Sequence, residues 1–192
     1  ISFTRPEQVT LAMTALLAGF FLSQVGIYFG NRWGRRPRVD ERLNQGLKGL
    51  GREYTIYHYT APVSHLLIGP PGIWVLLSHY QRGTITYEKG RWHQKGGGFA
   101  LAYLKIFGQE SLGRPDLEAE AEVAALEHYL RKQLPDTKLP PIQAALVFTN
   151  EKVELKAENA PLPTLAPKEL KEFLRQRAKS SPLNAANLEI LR

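Results

Sequence analysis

The chain of 192 residues contains no cysteine. This absence excludes disulfides and thiolate metal sites, and it agrees with a reducing compartment without requiring one. The sequence also lacks internal repeats and a glycine-rich loop of the kind that cradles phosphates. Its length leaves room for one domain of about 150 residues and one further element. The chain starts at Ile1 and not at methionine, so we expect an N-terminal segment to precede it.

Charge is missing from the 21 residues Val9–Phe29. As a helix this stretch would be about 31 Å long, which is enough to cross a hydrocarbon layer of about 30 Å. Ser23 and Gln24 could hydrogen-bond to a helix of an integral membrane partner, and Gly19 and Gly26 would permit close approach. We therefore predict a single transmembrane span. A buried core helix and an uncleaved signal peptide are the alternatives, although the apolar region of a signal peptide usually covers only ~7–15 residues.

Positive charge is concentrated directly after this stretch. The formal net charge is +7, and a basic connector follows Phe29. Tryptophan suits the headgroup layer, and arginines favour the cytoplasmic leaflet. The pattern predicts a membrane protein whose C-terminal domain is cytoplasmic, at the inner membrane of a bacterium. A basic arm that binds nucleic acid is the competing interpretation. The predicted lipid or partner contacts in the connector are Arg32, Trp33, Arg35, Arg36 and Arg38.

Apolar runs separated by turn residues dominate the stretch Val63–Tyr87. Short runs rich in branched and aromatic residues predict strands, here Val63–Gly69, Ile73–Tyr80 and Thr84–Tyr87. The segment Pro70-Pro71-Gly72 predicts the turn between the first two strands. Both faces of the second strand are apolar as far as Leu77, which places this strand in the middle of a covered sheet.

Several spaced motifs occur along the chain. They are V-x-H-L-L-I-G-P-x-G-I-W-V-L with the following G-T-I-T-Y and G-R-W, Arg114-Pro115 before a helix, Pro141–Asn150, Val153-Glu154-Leu155, Asn159–Pro163 and Lys168–Leu174. Their order is that of the NERD (nuclease-related) domain, a branch of the PD-(D/E)xK nuclease group, which this chain resembles from roughly Val39 to Leu174. The resemblance implies an α/β fold with a restriction-endonuclease-like mixed sheet flanked by helices, here preceded by the transmembrane helix.

The catalytic positions implied by the resemblance are degenerate. In such nucleases two acidic residues hold a divalent cation, and a lysine helps to polarise the attacking water. The first acid corresponds to Ser64, the second to Leu77 and the lysine to His79, while Glu41 corresponds loosely to a helical glutamate. Leucine has no oxygen to give to a metal. The Asn-Pro-x-x-Gln motif also departs, because it reads Arg114–Glu118 here. We therefore expect no metal, no cofactor and no catalytic residue.

The stretch Gln81–Lys105 is basic and contains aromatic residues, including Arg91 and Trp92. It could be a core-packing insertion, a surface that contacts lipid or a membrane partner, or a loop that binds nucleic acid by base stacking. We favour contact with lipid or a partner. Helices are predicted for 39–50, 116–134, 167–178 and 182–191, and strands for 54–59, 142–149 and 152–156; the run Phe99–Phe107 is apolar but too short to span a membrane.

These features predict four segments, namely a membrane anchor (1–30), a basic connector (31–38), a NERD-like domain (39–178) and a C-terminal tail or short helix (179–192). The expected function is that of a catalytically inactive, membrane-anchored scaffold or accessory subunit of a membrane protein assembly. The alternative is a divergent metal-dependent nuclease or nucleic-acid-binding protein that uses Glu41, His79 and the loop around Arg91. Binding of nucleic acid is the less favoured of the two.

Overall fold

A computed structural model describes residues 6–30, 34, 36–96, 112–180 and 182. The chain divides into two compact units, Ile1–Val39 and Asp40–Arg192. The predicted elements at 99–107 and 182–191 lie outside the described residues, except for Pro182. The structure is a mixed α/β arrangement with helices flanking mixed sheets, as the sequence predicted.

The N-terminal unit is dominated by one helix, α1, which runs from Pro6 to Phe29. Within the described part of the chain, it is the one helix long and apolar enough to cross a membrane. No part of its apolar window is buried, and Leu11 and Phe21 are 73% and 65% exposed.

The second unit is built on a five-stranded sheet, the central sheet, with strand order β1-β2-β3-β6-β8. Strands β1, β2 and β3 are antiparallel, whereas β3, β6 and β8 are parallel. The turn between β2 and β3 is the predicted one, with Gly72 in the left-handed region at φ 106°. The strands are β1 (Thr55–His58), β2 (His65–Gly69), β3 (Gly72–His79), β6 (Ile142–Phe148) and β8 (Thr164–Leu165).

A second sheet, the small sheet, has the strand order β5-β4-β7. It consists of β4 (Gly83–Glu88), β5 (Arg91–Lys95) and β7 (Val153–Lys156), with β4 antiparallel to β5 and parallel to β7. The sequence predicted β4 and β7 but neither β5 nor a separate sheet. Strand β5 contains a single large apolar residue, Trp92, so its alternation is too weak to be recognised as a strand.

Strand β3 lies in the middle of the central sheet and is covered on both faces. One face packs into the main hydrophobic core together with the small sheet and helix α3 (Pro115–Gln133). On the opposite face Trp74 contacts Phe173 edge to face, with ring centroids 5.2 Å apart. Phe173 belongs to helix α4 (Pro167–Ser180), which packs beside helix α2 (Val39–Leu47). The prediction of a central, covered strand is confirmed.

The contact between α2 and α4 depends on the missing side chain of Gly46. A Cβ atom at this position would collide with the carbonyl group of Pro167, a backbone group that cannot rotate away. We predict that Gly46→Ala lowers the free energy of unfolding by about 1–3 kcal/mol, because the clash outweighs the higher helix propensity of alanine. Denaturant titration of the detergent-solubilised chain, followed by tryptophan fluorescence, measures the change. The neighbouring exposed substitution Gln45→Ala should stay within about 0.5 kcal/mol of the parent.

Candidate functional site

The second half of β3 carries the two positions to which the sequence resemblance assigns the acid and the lysine of the family. Leu77 and His79 lie two residues apart on one strand, so their side chains point to the same face of the central sheet. Across the parallel pair with β6 they lie opposite Leu146 and Phe148. Both partners belong to the main hydrophobic core. Two side chains at these positions would lie side by side, as an acid and a lysine must in the active site, but the residues around them are apolar.

Leu77 is part of this core. Its side chain is 3% exposed and packs in the same cluster as Leu146 and Phe148. Ser64 directly precedes β2, and extending the β2–β3 register back from the pair Leu66 and Val75 brings it opposite Leu77. The Ser64 carbonyl accepts a hydrogen bond from the backbone N–H of Tyr59, and the residue is exposed. The position between the two strands thus offers one hydroxyl group and no carboxylate.

His79 is buried against an aromatic ring. Its imidazole stacks on Phe148 with centroids 5.3 Å apart and planes inclined by 26°. Only 8% of the residue is exposed, and Nε2 has no hydrogen-bond partner in the described part of the protein. Burial lowers the pKa of His79 to about 4, because the charged imidazolium loses its hydration there. At neutral pH this side chain is uncharged and does not supply the cation of a catalytic lysine.

The other positions of the family motifs do not add a metal site. Glu41 is exposed on the first turn of α2. At the start of α3, the Arg114 guanidinium makes a two-pronged contact with Asp116 at 2.7 and 3.1 Å, and this pairing lowers the pKa of Asp116. Within residues 6–96 and 112–182, as far as they are described, there is no group of three or more His, Asp or Glu side chains that could hold a metal ion.

Glu122, one turn after Glu118 on α3, carries a half-buried carboxyl group. Partial burial, together with the carboxylate of Glu118, raises the pKa of Glu122 to about 7. Glu118 occupies the last position of the altered Asn-Pro-x-x-Gln motif. This side of α3 is consequently less negative at neutral pH than its number of glutamates suggests.

Two histidines form a cluster that the sequence did not reveal. His58 and His65 are directly opposite each other on β1 and β2, with their Nδ1 atoms 2.9 Å apart. The Nε2 atom of His58 is 3.3 Å from Oδ1 of Asn44. A carbonyl oxygen only accepts, so His58 Nε2–H is the donor, and His58 Nδ1 accepts from His65 Nδ1–H. This chain of hydrogen bonds ties α2 to the end of the β1–β2 pair.

A cavity of about 450 Å³ opens beside the carboxyl end of β6. Nη1 of Arg42, on α2, donates to the Thr149 carbonyl at 2.8 Å and to Glu151 at 3.1 Å within its lining. The backbone N–H of Thr149 in turn donates to the His79 carbonyl at 2.7 Å. Neither Leu77 nor His79 lines this cavity. The hydrogen bonds of Arg42 and Thr149 join α2 to the ends of β3 and β6.

The predicted contact residues have different outcomes. Arg32, Trp33 and Arg35 lie outside the described residues. Arg36 and Arg91 are exposed. Trp92 was predicted to contact lipid or a partner, and this is wrong because its side chain is 8% exposed and packs in the main core against Tyr87. Trp92 is the residue of β5 whose side chain packs into the core.

A comparison with protein-family models finds that residues 37–149 match the NERD family, described as a nuclease-related domain. This match covers more than half of the chain, and the chain therefore belongs to the NERD family. No protein of curated function and no solved structure matches. The resemblance seen in the sequence motifs is confirmed at the level of the family.

The buried imidazole predicts a specific loss of stability in acid. The folded-state pKa of His79 is about 4, whereas that of an unfolded histidine is about 6.5, so the unfolded state binds the proton first. Stability is therefore lost as the pH falls from 6.5 to 4, by about 3 kcal/mol for this residue. We predict that His79→Phe removes this loss while keeping the ring stack.

Denaturant titrations of both proteins between pH 7 and pH 4 measure the effect. The free energy of unfolding of His79→Phe, relative to that of the parent, should increase steadily as the pH falls through this window. His128→Phe, at an exposed site on α3, is the control, because it makes the same substitution outside the core. A constant difference between His79→Phe and the parent at all pH values would contradict the prediction.

Proposed function

We propose that this chain is a membrane-anchored NERD domain without metal-dependent nuclease activity, which acts as a scaffold or accessory subunit of a membrane protein assembly. The observation that carries the proposal is the burial of Leu77 at the position of the second acid. A divalent cation such as Mg²⁺ requires oxygen ligands, and this hydrocarbon side chain has none. The neutral, buried His79 removes the positive charge as well.

The proposed membrane attachment rests on α1. A helix with exposed leucine and phenylalanine along its length is stabilised by transfer from water into lipid. The arginines that follow it favour the cytoplasmic side for the NERD domain. We therefore propose an inner-membrane location with the domain in the cytoplasm.

Polar side chains in α1 favour a protein partner within the membrane. The hydroxyl groups of Thr14 and Ser23 donate to the carbonyls of Thr10 and Phe20, each at 2.8 Å, so the helix itself satisfies them. The side chain of Gln24 has no hydrogen-bond partner among the described residues. An amide in hydrocarbon without a partner is unfavourable, and a neighbouring transmembrane helix would supply one.

The absence of nuclease activity is tested with the full chain in detergent. We expect no cleavage of single-stranded DNA, double-stranded DNA or RNA with Mg²⁺ or Mn²⁺, because Leu77 leaves the cation without a ligand. Glu41→Ala removes the remaining motif carboxylate, and Glu53→Ala is its exposed control. Cleavage by the parent that Glu41→Ala abolishes and Glu53→Ala retains would establish the chain as a divergent nuclease.

The partner helix is tested through the same amide. We predict that Gln24→Leu reduces the fraction of the chain found in a larger assembly on native gels after mild solubilisation by about threefold or more, the equivalent of the roughly 0.6–2 kcal/mol of an interhelical hydrogen bond. Val25→Leu, on the same turn, should leave the fraction unchanged. An assembly of equal abundance in both variants would show that Gln24 does not contact the partner.

A further inference from the structure

The hairpin formed by β4 and β5 separates its aromatic and its basic residues onto opposite faces. Trp92 points into the core and meets Tyr87 edge to face, with centroids 5.1 Å apart. Residues alternate along a strand, so Arg91, His93 and Lys95 point outward, and all three are exposed. The burial of Trp92 thus fixes which face of β5 carries the positive charge.

Three cations on this hairpin have no ion-pair partner among the described residues. Lys89, in the turn between the strands, Arg91 and Lys95 are exposed and make no ion pair or hydrogen bond with any described residue. Glu88 is the one carboxylate between Gly83 and Lys95, and although it is the cross-strand partner of Arg91 it forms no ion pair with it. We call Lys89, Arg91 and Lys95 the basic face.

Three other surface cations of the domain are paired with carboxylates. Arg114 pairs with Asp116 at 2.7 Å, and Arg131 pairs with Glu127 at 2.6 Å. Beside the hairpin, on β7, Lys156 pairs with Glu154 at 2.8 Å. The basic face therefore differs from these sites, because its charge remains available to an anionic partner.

We propose that the basic face binds the phosphate headgroups of an anionic bilayer and so orients the NERD domain on the membrane. This inference rests on the membrane anchoring proposed above. Nine residues, 30–38, connect α1 to α2, and such a connector spans at most about 30 Å when fully extended. The domain thus stays within reach of the headgroups, where lysine and arginine side chains gain from the negative surface potential.

Anionic lipid fits this face better than nucleic acid does. Single-stranded nucleic acids bind through bases that stack on exposed aromatic rings. On this hairpin the tryptophan is buried in the core, and Tyr87 lies on the same inward face as its partner Trp92. The outward face offers charge without a stacking platform. From Arg91 to Lys95 the cations extend over about 13 Å of one strand, a row that several headgroups can contact together.

The chain has no cysteine, so His93→Cys provides a single labelling site on this face. The labelled full chain is reconstituted in nanodiscs of phosphatidylcholine alone or of phosphatidylcholine with phosphatidylglycerol, both containing a headgroup quencher. We expect stronger quenching in the anionic discs, and a decrease at high salt. Lys89→Gln, Arg91→Gln and Lys95→Gln combined should lower the ratio of bound to free hairpin about a hundredfold, at about fivefold per charge.

The control removes three other exposed lysines, by Lys132→Gln, Lys138→Gln and Lys168→Gln, and should keep the quenching. The inference is overturned if quenching is equal in both lipids, or if the control loses it as the test variant does. It is also overturned if an oligonucleotide relieves the quenching at physiological salt and binds through the same three cations. Extraction of the parent from neutral vesicles by alkaline carbonate would instead contradict the anchoring by α1, so the two failures are distinguishable.

Discussion

Strand β3 is covered on both faces, and this constraint determines which side chains its inner face can hold. A side chain on its inner face is removed from water and surrounded by β6, α3 and the small sheet. A carboxylate is tolerated in such a place only when a cation or hydrogen-bond donors compensate it. Leu77 needs no compensation. At the position that the sequence resemblance assigns to the second acid, the chain has core packing instead of a metal ligand.

The same constraint couples three positions of the site. A lysine in place of His79 would bury an ammonium next to Leu77 and Phe148, with no carboxylate to pair with it. An acid in place of Leu77 would face the hydroxyl of Ser64 and an uncharged imidazole. Each single change toward the nuclease pattern therefore introduces an unpaired buried charge, and only a combined change that also admits a metal would relieve it.

Much of the central sheet could be predicted from the sequence because its signals are local. Pro70-Pro71-Gly72 marks the turn from β2 to β3, and the apolar runs on both sides of it match the two strands to within two residues. The small sheet could not be predicted, since β4 pairs with β7 across about seventy residues. Trp92 was misplaced for the same reason, because in a basic stretch only the register with Tyr87 shows which way the indole points.

The candidate site, too, could be predicted from the sequence only in part. Spacing along one strand was enough to place Leu77 and His79 on one face, and the resemblance assigned their roles. The contact of His58 with His65 required the β1–β2 register, and the contact of Arg42 with Thr149 joins residues 107 apart in the chain. Sequence patterns report which side chains share an element, whereas the hydrogen bonds between elements depend on how the elements pack.

The charged side chains of the domain are distributed unevenly over its surface. Helix α3 carries Glu118, Glu120 and Glu127, and burial together with the carboxylate of Glu118 raises the pKa of Glu122. The outward face of the β4–β5 hairpin carries three cations that make no ion pair with any described residue. In the proposed orientation, the negative surface potential of the bilayer attracts this outward face of the hairpin. The burial of the Trp92 indole determines which face of β5 carries these cations.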